Sequence, residues 1–342
     1  MANHTQQLLN TWYKQRDELQ WVLATIIGNE GSSYRKPGAM MMINSLGQYH
    51  GLLSGGCLES DIMRQSRQCW DTNKNRIIQY DMREEEDIAW QLGIGCGGLV
   101  RILLQPVSAS NSYLQLVELR EAINQNQSCK YIQALEESFP VNKLEILGSD
   151  TAPLFDEHQS SKEASQQFEH IIKPSPNLAI FGGGIDAIPV AKMAANLGWH
   201  VSVADPRSGY AREAQFPDAK YIEKASFGDD SKFAWLEHID AIVIMTHNLK
   251  LDAKALSLAQ HSAAKYVGML GPIHRTDRVL KEAGLNRDAD NANQNPLKKP
   301  LANPIGLRLG GELPESIALS ILSEVHAFIE QKDGQSISGI LS

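Results

Sequence analysis

Two hydrophobic rhythms run along the chain. Short apolar runs end in glycine-bearing turns, and between them lie segments whose apolar residues return every three or four positions. In the first half the rhythm predicts a helix over residues 6–15 and a strand at "WVLATIIG", residues 21–28, followed by the polar loop "NEGSSYRKPG". The runs "AMMMI" and "QYHGLL", joined by the turn-forming "NSLG", predict a hairpin. A helix is expected over residues 58–71, with Leu58, Ile62, Met63 and Cys69 on one side and charges opposite. "RIIQYD" and "GLVRILLQPV" read as strands on either side of "GIGCG". A helix over residues 113–124 and the strands "KYIQALEE" and "KLEILG" follow.

Residues 148–176 are polar and irregular, which suits a linker or long surface loop. The expected organisation is therefore a domain over residues 1–150, a linker or surface loop over 151–176, and a second domain over 177–342. The second domain opens with "NLAIFGGGIDAIPVAKMAANLGWHVSVADPR". An apolar strand runs into a turn where Gly182, Gly184 and Ala187 fit G-x-G-x-x-G/A. A helix and a second strand come next, and Asp205 stands about 20 residues on, where an acid meets a ribose hydroxyl. "DAIVIMTH", a helix over 252–261 and "KYVGMLG" continue the alternation. A last helix over 314–329 carries the apolar stripe Ile317, Ile321, Val325 and Phe328. The fold class is α/β: an N-terminal mixed α/β domain followed by a C-terminal Rossmann-like domain with a mainly parallel sheet.

Charge narrows the partners. The net charge is −8 and the densest basic run is "LKKP", so nucleic acid is an unsuitable partner. No apolar run approaches the roughly 18 residues that mark a membrane span, and the polar N-terminus carries no signal-peptide core. A cytoplasmic protein is expected. Of the four cysteines, Cys57, Cys69, Cys96 and Cys129, none forms a C-x-x-C pair, which leaves little for a zinc ribbon or a disulfide framework.

Candidate chemistry collects on the glycine turns. Cys57 follows Ser54, Gly55 and Gly56 at the start of a predicted helix, where unpaired amides and the helix dipole favour a thiolate. Cys96 sits between glycines in "GIGCGG". Either one alone can be a small core residue, as Cys69 is expected to be. In "GSSYRKPG", Ser33 can offer a hydroxyl and Arg35 a planar fork to an oxyanion, or the segment can be an exposed loop. Two thiols and a cation on three such turns point to a soft metal carrying an anionic group. His247, at a strand end, can bond a ligand, act in acid–base chemistry, or be structural.

The motifs "GSSYRKPGA", "GLLSGGCLE", "GIGCGG", "IFGGGIDAIPVA", "MTHNLKLD", "GMLGPIHRTDR" and "IGLRLGGELPESIALSIL" together resemble the xanthine dehydrogenase accessory protein family, XdhC/CoxI. The resemblance runs from about residue 21 to 325. Arg308, Gly311, Leu313 and Ile273 depart from the residues usual in those motifs. The resemblance implies an accessory factor: a chaperone that binds the molybdenum cofactor (molybdopterin), assists its sulfuration with a cysteine desulfurase, and inserts it into an apo molybdenum hydroxylase of the xanthine dehydrogenase type. Carried onto this chain, it makes Cys57 and Cys96 candidate contacts to molybdenum or its sulfido ligand, and Arg35, Gly55 and Gly56 anion contacts. A homodimer is expected. Two other readings stand beside it. Gly182, Gly184, Asp205 and His247 fit an NAD(P)-dependent oxidoreductase, and the two thiols fit a persulfide carrier.

Overall fold

The computed structural model describes residues 4–56, 58–81, 98–136, 141–148, 166–287 and 295–340. The chain divides into two compact units, Met1–Pro174 and Ser175–Ser342.

The first unit is built on strand β1 (Trp21–Glu30), the centre of a five-stranded antiparallel sheet. β2 (Met40–Asn44) and β3 (Tyr49–Gly51) extend it on one side. β5 (Leu99–Val107) and β4 (Arg76–Asp81) extend it on the other. The apolar runs in β1 and β2 are continuous because both faces are covered. Val22, Ala24, Ile26, Met41 and Ile43 pack with Leu58, Ile62 and Cys69 of the segment that forms helix α2 (Glu59–Thr72). Trp21, Leu23, Met40 and Met42 face α1 (Thr5–Gln15) and α3 (Leu116–Asn124). Helix α3 starts later than the sequence pattern suggests, because residues Ser112 to Gln115 all take positive φ.

A second sheet in this unit has the order β7–β6–β8, from Lys143–Ile146, Cys129–Ala134 and Gln167–Ile172. β8 falls inside the segment read from sequence as linker. Its alternation of exposed and buried positions, with Phe168, His170 and Ile172 turned in, is what a half-buried strand needs. The polar composition upstream masked that period.

The second unit is a parallel sheet of six strands: β9 (Asn177–Phe181), β10 (His200–Ala204), β11 (Ala219–Glu223), β12 (Ala241–Ile244), β13 (Tyr266–Met269) and, beyond the two-residue pair β14 (Leu285–Asn286) and β15 (Asn295–Pro296), β16 (Leu301–Ala302). Their order is β11–β10–β9–β12–β13–β16, which is 3-2-1-4-5-6, the Rossmann order. Helices α4 (Ala187–Asn196) and α7 (Pro314–Ile329) cover one face, while α5 (Leu249–His261) and α6 (Ile273–Ala283) cover the other. The buried stripe of α7 is Ala318, Ile321, Leu322 and Val325, and Phe328 is left 46% exposed. Neither β11 nor α6 stands out in the sequence. β11 has no fully buried residue, and α6 buries only Thr276, Val279 and Leu280.

Gly182 makes the β9–α4 turn possible. Its φ is +122°, and a Cβ there would lie 2.5 Å from the carbonyl carbon and oxygen of Met245 at the end of the neighbouring strand. Gly182→Ala should lower the stability of this unit by about 3 kcal/mol, from strain and overpacking together. Urea unfolding followed by Trp199 fluorescence measures this, and an unchanged midpoint would mean the turn can rebuild around a methyl group.

Candidate cofactor site

In the first unit the turn after β3 is organised by an acid. Glu59, the first residue of α2, is 3% exposed. Its Oε1 accepts from the amides of Leu53 (3.1 Å) and Ser54 (2.9 Å). Its Oε2 accepts from the Ser54 hydroxyl (2.6 Å) and the Gly56 amide (2.9 Å). Ser54 Oγ in turn accepts from the Leu58 amide at 2.8 Å. Burial alone would raise the Glu59 pKa, but the donors on it, Ser54 foremost, outweigh burial and hold it below the ordinary value. The sequence pattern put the charges of this helix on its outer side, and Glu59 is instead turned inward. The signal was the acid two places after the cysteine in "SGGCLE", which reads equally as a partner of the helix dipole.

The loop over residues 31–38 reaches both glycine turns. A Cβ on Gly98 would lie 2.2 Å from the carbonyl oxygen of Ser32 and 2.7 Å from that of Glu30, so backbone packs on backbone there. A Cβ on Gly55 would meet the Tyr34 ring at 3.4 Å. Arg35 is partly buried in this loop, and Ser33 has its Oγ buried with no hydrogen-bond partner among the described residues. Gly55 and Gly56 are exposed and have positive φ. Cys57 and Cys96, the two thiols singled out in the sequence, lie outside the described residues. Cys57 adjoins Gly56, and Cys96 stands two residues before Gly98. Cys69 and Cys129 are buried and free, and burial pushes both thiols up, Cys69 to about 11. Neither is a reactive thiolate. Among the described residues no group of three or more His, Cys, Asp or Glu is placed to hold a metal.

The Rossmann unit treats its predicted residues differently. Gly182 and Gly184 stand at the β9–α4 turn as expected, where α/β sheets bind ligands. Asp205 is fully buried and already saturated. It accepts from the Gly183 amide (2.9 Å) and from the amide, Nε and Nη2 of Arg207 (3.0, 2.9 and 2.6 Å). The carboxylate expected to take a ribose hydroxyl therefore ties the glycine turn to Arg207, whose guanidinium stacks on Tyr210 at 3.6 Å. His247, at φ +58° after β12, sets its Nε2 2.5 Å from Asp186 Oδ2 at the start of α4. That bond leads the causes that raise the His247 pKa. The same Asp186 has its Oδ1 2.9 Å from where a Gly184 Cβ would stand. A negative group thus occupies the helix N-terminus, the place that otherwise favours a pyrophosphate.

Residues 178–325 match the model of the XdhC Rossmann domain, and residues 15–81 match that of the XdhC and CoxI family. A relative from Bacillus subtilis, described as a probable subunit of xanthine dehydrogenase, is 31% identical over 322 residues, covering 90% of this chain and 93% of the relative. The chain belongs to the XdhC/CoxI family. Another relative by sequence, the molybdenum cofactor insertion chaperone PaoD of Escherichia coli, is 22% identical over 89% of this chain and 82% of its own length. A crystal structure of a xanthine dehydrogenase from Bacillus halodurans superposes with a TM-score of 0.79 at 30% identity, covering 99% of this chain and 100% of that one.

The XdhC/CoxI match over 15–81 contains the 31–38 loop, Glu59 and Cys57, whereas Cys96 lies beyond it. The XdhC Rossmann match contains Gly182, Gly184, Asp205 and His247.

Glu59→Ala leaves three amides without their acceptor and should cost about 3 kcal/mol. Because the folded pKa of Glu59 is lowered, its stabilisation is present above the unfolded value near pH ~4.3 and is lost as pH falls through the folded pKa. Unfolding free energy measured between pH 7 and pH 3 should therefore fall less steeply in Glu59→Gln than in the wild type. For His247 the sign is opposite. Its raised pKa stabilises fully below pH ~6.5, and the stabilisation is lost as pH rises through the folded value. An NMR titration should place the His247 midpoint above the ordinary one, and Asp186→Asn should bring it back. An unmoved midpoint would show the pair to be dispensable.

Proposed function

We propose that this chain is a molybdenum cofactor-binding chaperone that assists sulfuration of molybdopterin and its insertion into an apo xanthine dehydrogenase or related molybdenum hydroxylase. The observation that carries this reading is the packing of the 31–38 loop, through Ser32 and Tyr34, against Gly98 and Gly55, glycines that each stand two positions from a cysteine in the sequence. The relatives support the class of work: one is a cofactor insertion chaperone and another a probable subunit of the hydroxylase.

The residues fit such a guest. When bound, molybdopterin supplies a dithiolene-held metal, with oxo or sulfido ligands, and a phosphate. Soft thiolates at Cys57 and Cys96 suit the metal or its sulfur. Arg35 and the exposed backbone of Gly55 suit the anionic portion, whereas the Gly56 amide is already given to Glu59 and the Ser33 hydroxyl is closed off from solvent. Glu59 ties down Leu53, Ser54 and Gly56, the described residues that lead up to Cys57 in the sequence, which lowers the ordering that opposes binding. A cysteine desulfurase would supply sulfur, a homodimer would present the cargo, and the setting would be the cytoplasm. In this role the chain is an accessory factor.

The oxidoreductase reading is weaker. Asp205 is bonded on both oxygens, and Asp186 brings negative charge to the seat of a pyrophosphate. The persulfide reading survives as part of the carrier role, because either thiol can hold sulfur in transit.

Isolated from cells that make a molybdenum hydroxylase, the protein should carry about one molybdopterin per chain. The Cys57→Ala/Cys96→Ala double variant should bind it at least about tenfold more weakly, the loss of one strong contact. Full retention of molybdopterin by that variant would remove the thiols from the site.

A further inference from the structure

The 31–38 loop carries at its middle the most exposed aromatic side chain among the described residues, Tyr34, at 61%. Tyr210, Tyr221 and Phe328 are less exposed, and each leans on a neighbour: the Arg207 guanidinium, the Trp235 ring and the Tyr266 ring. Tyr34 has no hydrogen bond, ring partner or cation over its face among the described residues. A single exposed tyrosine is ordinary. A tyrosine exposed on a backbone fixed at both ends is less so.

The two ends of the loop are fixed. Before Tyr34, the Ser32 carbonyl oxygen packs so closely on Gly98 that a Cβ there would come within 2.2 Å of it. After it, the Gly38 amide donates to the Ile26 carbonyl oxygen of β1 at 2.8 Å, and a Gly38 Cβ would lie 3.2 Å from the buried His170 ring. The ring of Tyr34 is itself supported along one side. Its Cε2, Cδ2 and Cζ stand 3.4, 3.5 and 3.6 Å from where a Gly55 Cβ would be, so it rests about one methyl group away from bare backbone. A Cβ on the following Gly56 would meet nothing within 4 Å, which leaves open space beyond the ring. Tyr34 also lines a cavity of about 380 Å³, together with Arg35 and Lys36 from the loop and His170 from β8. A volume of that size falls within the range of small-molecule pockets.

We propose that Tyr34 is the platform on which the cofactor's pterin ring system stacks, an assignment that rests on the carrier reading. A pterin is a flat, electron-poor heterocycle, and a phenol ring is electron-rich, so the two favour offset stacking. A tyrosine has only two side-chain torsions to fix, and a loop anchored on both sides leaves little else to order on binding. Stacking reads the flat face of the guest and not the ligands around its metal. The grip is therefore the same before and after sulfuration, and the thiols need not carry the cofactor's weight while sulfur is exchanged. Arg35, the next residue, places a guanidinium within reach of the polar rim of a ring so held.

Molybdopterin added without air to the full chain, labelled with 13C in its tyrosine rings, tests this. The Tyr34 resonances, identified by their loss in Tyr34→Phe, should move upfield along the binding isotherm, as a ring does under a stacked neighbour. Tyr34→Phe keeps the π-face and should bind as the wild type does. Tyr34→Leu keeps an apolar side chain without that face and should bind about tenfold more weakly. Molybdopterin held by the wild type with the Tyr34 resonances unmoved, or held as tightly by Tyr34→Leu, would overturn the platform and leave the carrier role standing. Failure of the wild type to hold molybdopterin at all would remove the carrier role and the platform with it. The ring resonances are followed in the wild-type chain, so a misfolded variant cannot obscure the result.

Discussion

A carboxylate buried at the foot of a helix governs the first unit's glycine turn. Glu59 gathers the amides of Leu53, Ser54 and Gly56 and the hydroxyl of Ser54. Burying a charge is costly unless its lone pairs are filled, and here four donors fill them. The same bonds that satisfy the acid remove the freedom of a turn made largely of glycine. Leu53, Ser54 and Gly56 are thereby fixed, and the next residue in the sequence is a cysteine. Flexibility in the sequence is what allows the backbone to be open to a ligand. The buried acid is what keeps that openness from becoming disorder.

The second unit repeats the device. Asp205 ties the β9–α4 glycine turn to the end of β10 through the Gly183 amide. Asp252, fully buried in α5, takes the amide and hydroxyl of Thr246 (3.1 and 2.5 Å) and pairs with Arg275 at 2.5 Å. The turns after β9 and β12 flank the point where strand order reverses, and each is held by a carboxylate spent on the protein itself. A Rossmann frame whose acids face inward holds its shape through them. A fold of this kind can persist while its ligand chemistry changes.

A different kind of constraint joins the two sheets of the first unit. Gln133 Nε2 donates to Thr25 Oγ1 (3.1 Å) and Gln105 Oε1 (2.9 Å). Asn142 Nδ2 donates to Gln105 Oε1 (2.9 Å) and to the Tyr131 hydroxyl oxygen (2.8 Å). Buried amides bonded to one another are directional in a way that apolar packing is not, so they fix how β6 lies on β1 and β5. That registration carries through β6 to its partner β8, and so places His170 under the Arg35 loop.

Much of the fold was legible in the sequence, because hydrophobic period is a local property. The continuous runs of β1 and β2, the stripes of α2 and α7, and the strand–glycine–helix order of the Rossmann unit could all be read from neighbouring residues. β8, β11 and α6 were missed for the same reason: their apolar signal is too thin to rise above polar surroundings, and only the partner strand or helix completes it. Of the site, the sequence determined the residue types, with two thiols, a cation and three glycine turns. The tertiary structure alone decided that the 31–38 loop packs on Gly55 and Gly98 and that Asp205 faces inward. It alone brought His170, more than 130 positions from Arg35, to the same cavity. A side chain's type is written in the chain, but whether its polar atoms are met by the protein or left for a ligand depends on which distant backbone arrives beside it.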